Sequence, residues 1–332
     1  MSGNDIRMLI TSRDGKSFVN PITAEGIRWT TYRTGSAGRL DFYLVDCFCG
    51  EEHFEEGASV KLYVKEKPVF EGYVFTRKRT KSRLTEVTAF DQLRYLKNKD
   101  TYVYENITAS ELLKMIASDF GLQTGEIEDT GYKIAYRVEE NTTLLDMLET
   151  ALSLTEQSTG KSFVLFDSFG KLTLKSIDSM RVTRGQGYLL IDETSGENYE
   201  YTSSIDTGTY NKIKLTYDNK DTGKREVYTA IDSKNADNWG VLQYYDTLKE
   251  GENGYAKAEA LLKLYNAKTR RLRIINAFGD CGVRAGSMTA VRLDLGDIKV
   301  NSFMLVEKAV HTFKNDEHFM ELTLKGSGFN GL

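Results

Sequence analysis

Cys47, Cys49 and His53 form the one grouping whose types and spacing suggest a metal. A C-x-C pair puts both sulfurs on the same face of a strand, and His53 supplies a third ligand. Structural zinc takes four ligands, commonly as C-x2-C pairs, and the fourth here would have to be Cys281, far away in sequence. Buried, reduced thiols are the better expectation, so no metal is assigned. His311 falls in a strand-like stretch and His318 beside the turn Asn315-Asp316-Glu317. With only 3 histidines and no G-x-S-x-G elbow, these two are expected to pack or face solvent, not to move protons. Acidic residues are plentiful, but nothing marks any two as a glycosidase-like pair. Asp218 to Gly223 has the look of a calcium loop, yet Lys220 occupies what should be the second ligand position, so a plain hairpin is expected. Neither phosphate-binding glycine pattern occurs; Gly185-Gln186-Gly187 and Gly326-Ser327-Gly328 read as short loops. No catalytic, cofactor-binding or metal-binding residue is assigned.

Charge offers a different kind of chemistry. Arg77, Lys78, Arg79, Lys81 and Arg83 lie on a strand–turn–strand and are expected to project a basic ridge that contacts phosphates without reading sequence, or else a subunit. Lys268, Arg270, Arg271 and Arg273 make a smaller group. Six acids and no Lys or Arg occupy residues 41 to 60 (Asp41, Asp46, Glu51, Glu52, Glu55, Glu56), whereas residues 61 to 99 carry eleven Lys and Arg against four acids. Adjacent blocks of opposite sign suit a subunit that meets copies of itself edge to edge.

The elements that must carry these residues follow from periodicity. Val60, Leu62 and Val64 alternate with Lys61, Tyr63 and Lys65, and candidate strands follow at 69–79 and 84–90. Beyond Tyr104 the spacing becomes helical: Ala109, Leu112, Leu113, Ile116, Ala117 and Phe120 make one stripe, with a Thr108/Glu111 capping box and Gly121 as the stop. A second helix is predicted from about Leu144 to Glu156, capped by Thr143 and followed by Gly160. A hairpin turning at Phe169-Gly170 comes next. Ile213, Leu215 and Tyr217 begin another hairpin, Ala258, Leu261, Leu262 and Tyr265 mark a helix, and strands near 304–313 and 319–325 close the chain. The expected architecture is mixed and β-rich: two antiparallel β-barrel-like domains, 1–100 and 181–332, flanking a small α+β domain at 101–180, with strand exchange between domains allowed.

Totals narrow the classes. At 40% hydrophobic and 28% charged residues the chain is an ordinary globular one, and its net charge of −4 carries no global nucleic-acid signature. No apolar run reaches the roughly 18 residues of a membrane span. The N-terminal stretch has neither the basic start nor the apolar core of a signal peptide, so synthesis in the cytoplasm is expected.

The middle of the chain carries a resemblance. Tyr102 to Leu112 leads into Asp119 to Tyr132, then Asn141-Thr142-Thr143-Leu144-Leu145-Asp146, then Thr155 through Gly160-Lys161. Phe90 to Asn98 precedes them; Trp239-Gly240-Val241-Leu242-Gln243 and the helix around 256–264 follow. This order resembles the XkdQ/YqbQ family of PBSX-type prophage tail proteins, over nearly the whole chain and through collinearity, not through any one motif. The resemblance implies a non-enzymatic baseplate hub, related to late control protein D and Mu-like hubs: a homotrimer whose paired barrel-like domains make a pseudo-sixfold ring between sixfold tail tube and threefold spike. Implied partners are the tube, spike, tape-measure, LysM-type tail and wedge proteins in a virion or tail-like particle, with DNA at most as passing cargo and no membrane binding. Two alternatives remain from the residues themselves: a cell-wall-degrading tail enzyme, and a nucleic-acid-binding module using the hairpin 77–83.

Overall fold

Alternation builds the main sheet. In strand Ser59–Val64 the side chains of Val60, Leu62 and Val64 are buried while Ser59, Lys61 and Tyr63 are half-exposed, and strand Leu84–Phe90 buries Thr85, Val87 and Ala89 in the same rhythm. Val60, Leu62, Val64, Val87 and Ala89 meet Leu40, Phe42, Phe70 and Val74 in one core. Burying each of these larger aliphatic or aromatic groups is worth about 1.5–3 kcal/mol. Strand Lys67–Arg79 crosses this core at Gly72, where a Cβ would lie 2.3 Å from the Phe90 carbonyl oxygen, so no larger residue fits.

The computed structural model describes residues 6–12, 15, 18–19, 23–45, 55–79, 81, 84–206, 208–219, 222–248, 252–314 and 317–326. They fall in two units, the first made of residues 1–199 and 273–324, the second of 200–272 and 325–332. In the first, the pairing order runs Phe18–Val19, Ile6–Thr11, Ser59–Val64, Lys67–Arg79, Leu84–Phe90, Arg39–Val45, Thr23–Tyr32, Lys299–Lys314, Glu317–Lys325 and on to the strand Thr269–Phe278 from Arg273 onward. Strand Lys299–Lys314 is the seam. Its residues 299–305 pair with Met288–Asp294, and its residues 308–313 pair with 27–32 of Thr23–Tyr32. Sixteen residues at about 3.4 Å each give a strand long enough to serve two neighbours. The last part of the chain is therefore continuous, through backbone hydrogen bonds, with the sheet begun by the first ninety residues, and Phe313 joins their core. Among the described residues the ladder is open and closes no barrel.

The helices start and stop as the capping chemistry requires. Helix α1 (Ala109–Asp119) is opened by a reciprocal box: Glu111 N–H donates to Thr108 Oγ1 (3.2 Å) and Thr108 N–H donates to Glu111 Oε2 (2.7 Å). Helix α2 (Leu144–Thr159) is capped by Thr143, which accepts from Asp146 N–H at 3.1 Å, and ends on left-handed Gly160. Their apolar stripes pack together over strand Phe163–Asp167, buried at every residue, which pairs with Leu172–Ser176. Two elements in this region were not anticipated from the sequence. Residues 99–108 form a strand paired with Lys133–Thr143, and Gln92–Lys97 is a 3-10 helix. The first has charged and polar side chains on both sides of its apolar ones, which blurs the period-2 signal; the second is too short to show a helical period.

The second unit is a three-stranded sheet, Lys224–Ile231, Lys212–Asn219 and Gln243–Thr247 in that order. Helix α3 (Ser233–Trp239) makes the crossover to the parallel third strand, and α4 (Gly254–Tyr265) covers one face. Its core is small: Ile213, Leu215, Leu248 and Ala258, surrounded by Tyr210, Tyr228, Tyr244 and Tyr265.

Candidate functional site

Folding brings together two of the three histidines, His311 and His318. His311, on the seam strand, is fully buried between Trp29 (ring centroids 4.8 Å) and Phe313. His318, on the next strand, stacks on Phe313 at 4.3 Å. His311 Nδ1 is 2.9 Å from His318 Nε2, His311 Nε2 is 2.9 Å from the Val283 carbonyl, and Cys281 Sγ is 4.0 Å from His318 Nδ1. A carbonyl only accepts, so His311 carries its proton on Nε2 and accepts at Nδ1. His318 then donates from Nε2 and leaves Nδ1 to accept from the thiol. One ordering of protons satisfies the whole line with both rings neutral. Burial holds His311 down at about 3 and His318 at about 4, and pushes the Cys281 thiol up to about 11. Although a cysteine does neighbour a histidine, the thiol is the reverse of an activated nucleophile, and both rings serve packing.

A second polar cluster lies at the junction of the main sheet and the α1/α2 region, and no sequence signal marked it. Asp91 is the N-cap of the 3-10 helix; its carboxylate accepts from Gly38 N–H (2.9 Å) and Leu93 N–H (3.0 Å). Gly38 must be glycine, since a Cβ would sit 2.3 Å from Asp91 Oδ2. Asp167 accepts from Gly170 N–H (2.7 Å) and Gln92 Nε2 (3.2 Å), and Gln92 Oε1 accepts from Gln123 N–H (2.9 Å). Arg284 lies half-buried beside them, with its guanidinium Nε shielded from solvent. It donates to the Asp167 carbonyl oxygen at 2.9 Å and lies 4.0 Å over the Phe166 ring. Burial raises Asp91 and Asp167, and lowers Arg284 to about 10. The cluster locks two layers in one relative position.

The basic hairpin is not the single ridge expected. Lys78 is opposite Glu86 in the ladder and pairs with it at 3.5 Å, whereas Arg77 and Arg79 are opposite Val87 and Thr85 and so point to the other face. Lys81 is exposed, and Arg83 lies outside the described residues. In the smaller group Arg270 bonds Tyr201 (3.0 Å) and Arg273 pairs with Glu321 (2.7 Å). The opposite charge blocks are partly spent within their own sheet: Lys61 on Glu71 (3.1 Å), Arg39 on Asp41 (2.7 Å). Asp218, the supposed calcium ligand, accepts from Arg225 at 2.6 and 2.9 Å across the expected hairpin. Cys47, Cys49 and His53 lie outside the described residues. Among the described residues no group of three His, Cys, Asp or Glu is arranged to hold a metal, and no helix is long and apolar enough to cross a membrane.

What remains for other molecules is surface. The ribbon 99–108/133–143 has two strands only, and its outer face exposes Val103 (61%), Tyr136 (60%) and Val138 (50%), with Val103 directly opposite Val138. In the second unit Val227, Ile231 and Tyr245 are exposed on the sheet face away from α4. Exposed apolar side chains grouped on open-edged sheets are features of surfaces that meet partners.

Comparison with known proteins gives the family and the fold. A family model described as YQBQ-like matches residues 27–325. YqbQ and the phage-like element PBSX protein XkdQ, both of Bacillus subtilis (strain 168), are each 32% identical to the chain over 80% of its length, covering 80% and 81% of their own. Among solved structures, the 43 kDa tail protein of prophage MuSo2 from Shewanella oneidensis superposes with a TM-score of 0.67 at 12% identity, covering 98% of this chain and 97% of that one. The E. coli c3393 protein, a component of the type VI secretion system with structural similarity to the T4 tail proteins gp27 and gp5, gives 0.55 at 10% identity over 94% of this chain and 77% of its own. The chain belongs to the YqbQ-like family and shares its fold with prophage tail proteins.

Proposed function

We propose that this chain is the structural hub of the baseplate in a contractile phage tail or tail-like particle, a homotrimer that adapts the sixfold tail tube to the threefold spike. The observation that carries the reading is the seam. One strand, Lys299–Lys314, hydrogen-bonds to strands on both sides, so one polypeptide holds an early and a late set of strands edge to edge. In this reading each set serves as one tube-facing module, although its ladder is open, and three such chains around an axis present six modules, the symmetry a hexameric tube requires. The full-length likeness to a prophage tail protein supports the same reading.

The Asp91–Arg284–Asp167 junction suits a part that must transmit force without shearing, and the exposed apolar ribbon suits contact with neighbours. Tube and spike proteins are the direct partners, with tape-measure, LysM-type and wedge proteins around them and DNA only passing through. This reading gives the chain no catalytic role: His311 and His318 are held neutral, and His311 is enclosed by Trp29 and Phe313. The test is reconstitution of the purified chain with tube protein, followed by electron microscopy. Threefold rings stacked on tube ends are expected. A chain that stays monomeric over a wide concentration range and binds neither tube nor spike would refute the proposal.

A further inference from the structure

Part of the basic block 61–99 is not spent on the sheet. Arg94 and Lys97 stand on the 3-10 helix Gln92–Lys97 and converge, with Arg39, on a pocket of about 480 Å³ walled by Tyr32 and Phe90. Arg94 rests 5.2 Å over the Phe75 ring and Lys97 Nζ donates to the Gly35 carbonyl at 2.6 Å; neither has a carboxylate partner among the described residues. Lys308 adds another cation, 5.3 Å over the Tyr32 ring. The acid nearest Arg39, Asp41, is already held by Arg39 (2.7 Å) and the Thr88 hydroxyl (2.8 Å). The pocket therefore gathers cations in excess of acids.

Across the turn at 33–36, and sharing Ser36 with it, lies a cleft of about 460 Å³. Its floor is apolar, with Leu93, Leu145, Leu152 and Phe163, and its lip carries Glu149 and Glu156. We propose that the two hollows form one docking site for an extended segment of a partner protein in which a carboxylate stands beside an apolar side chain. The carboxylate enters between Arg94 and Lys97, where a guanidinium gives a charge-assisted, bidentate contact. The apolar side chain fills the cleft. A nucleic-acid strand fits this surface poorly, because its unbroken phosphates would run from the cations onto Glu149 and Glu156. The site rests on the pocket's own geometry and not on the hub reading, so either can fail without the other.

The test uses the full chain and a fluorescein-labelled peptide of alternating glutamate and leucine, read by fluorescence anisotropy. Two competitors are a glutamine-for-glutamate version and a single-stranded oligonucleotide of equal charge. The glutamate peptide is expected to bind, the glutamine version about tenfold more weakly, and the R94E/K97E variant to lose binding at an unchanged melting temperature. The milder R94Q/K97Q variant gives the same answer if charge reversal disturbs the fold. No binding of the glutamate peptide up to millimolar concentration would overturn the proposal. So would equal affinity for the glutamine version, unchanged affinity in R94Q/K97Q, or an oligonucleotide that competes as well as the peptide.

Discussion

Replacing Arg284 with Met tests whether the polar junction is held by its one cation. The substitution keeps length and volume but removes three things: the hydrogen bond to the Asp167 carbonyl, the guanidinium stacked on Phe166, and the positive charge beside Asp91 and Asp167. The hydrogen bond is worth about 1 kcal/mol and the desolvated cation–π contact about 2. Stranding two carboxylates in the interior brings the expected loss to about 3–5 kcal/mol. That corresponds to a fall of roughly 10 °C in melting temperature for a unit of this size. Urea titration at several pH values gives the sharper reading. Burial already raises both carboxyl groups, and Arg284 opposes the rise. Without it their folded pKa values climb further above the unfolded value of about 3.9. A group raised in the folded state contributes stability below its unfolded pKa and loses it as pH climbs through the folded one. The deficit of Arg284→Met relative to the parent must therefore grow from pH 5 to pH 8, and taking that difference cancels the titration of every other group. A deficit below about 1 kcal/mol, or one equal at both pH values, would refute the reasoning.

Other outcomes follow from single contacts. His311 and His318 are held at about 3 and about 4, below the unfolded value near 6.5, so their contribution to stability is full above pH 6.5 and is lost as pH falls toward 3; NMR signals assigned to either of these two imidazoles that titrate between pH 5 and 8 would contradict this. Thr108→Ala removes the capping box of α1 and costs about 1 kcal/mol in a urea melt. Gly72→Ala forces a Cβ against the Phe90 carbonyl and costs about 1–3 kcal/mol, whereas the same change at Gly160, which has open space but a left-handed backbone, costs about 1. Val138→Lys on the exposed ribbon leaves the melting temperature of the isolated chain within about 2 °C and impairs reconstitution with partner tail proteins.

Local chemistry was legible and long-range pairing was not. The caps Thr108, Thr143 and Gly160, the turn at Phe169-Gly170 and the alternation of Val60, Leu62 and Val64 are signals contained within a few residues, and each element stands where they put it. The seam between residues 308–313 and 27–32 joins strands some 280 positions apart, and nothing in either strand's own pattern names its partner. Asp91, Asp167 and Arg284 escaped notice because a buried charge is indistinguishable in sequence from a solvated one; only folding brings the three together. Cys281 and His318 are 37 positions apart and met for the same reason. The basic hairpin was a different kind of miss: period two alone sets Arg77 and Lys78 on opposite faces, and counting charges along the chain hid it. For the resemblance, order along the chain was the informative quantity, since no single stretch held a chemical signature.

Counting copies in intact particles tests the hub reading most directly. Quantitative mass spectrometry of purified tails or tail-like particles, with the tube protein as internal standard, should find this chain at three copies per particle, fixed regardless of tail length and localised by cryo-electron microscopy where tube meets spike. A copy number that scales with tube length, a sixfold ring, or particles that assemble complete without the chain would contradict it.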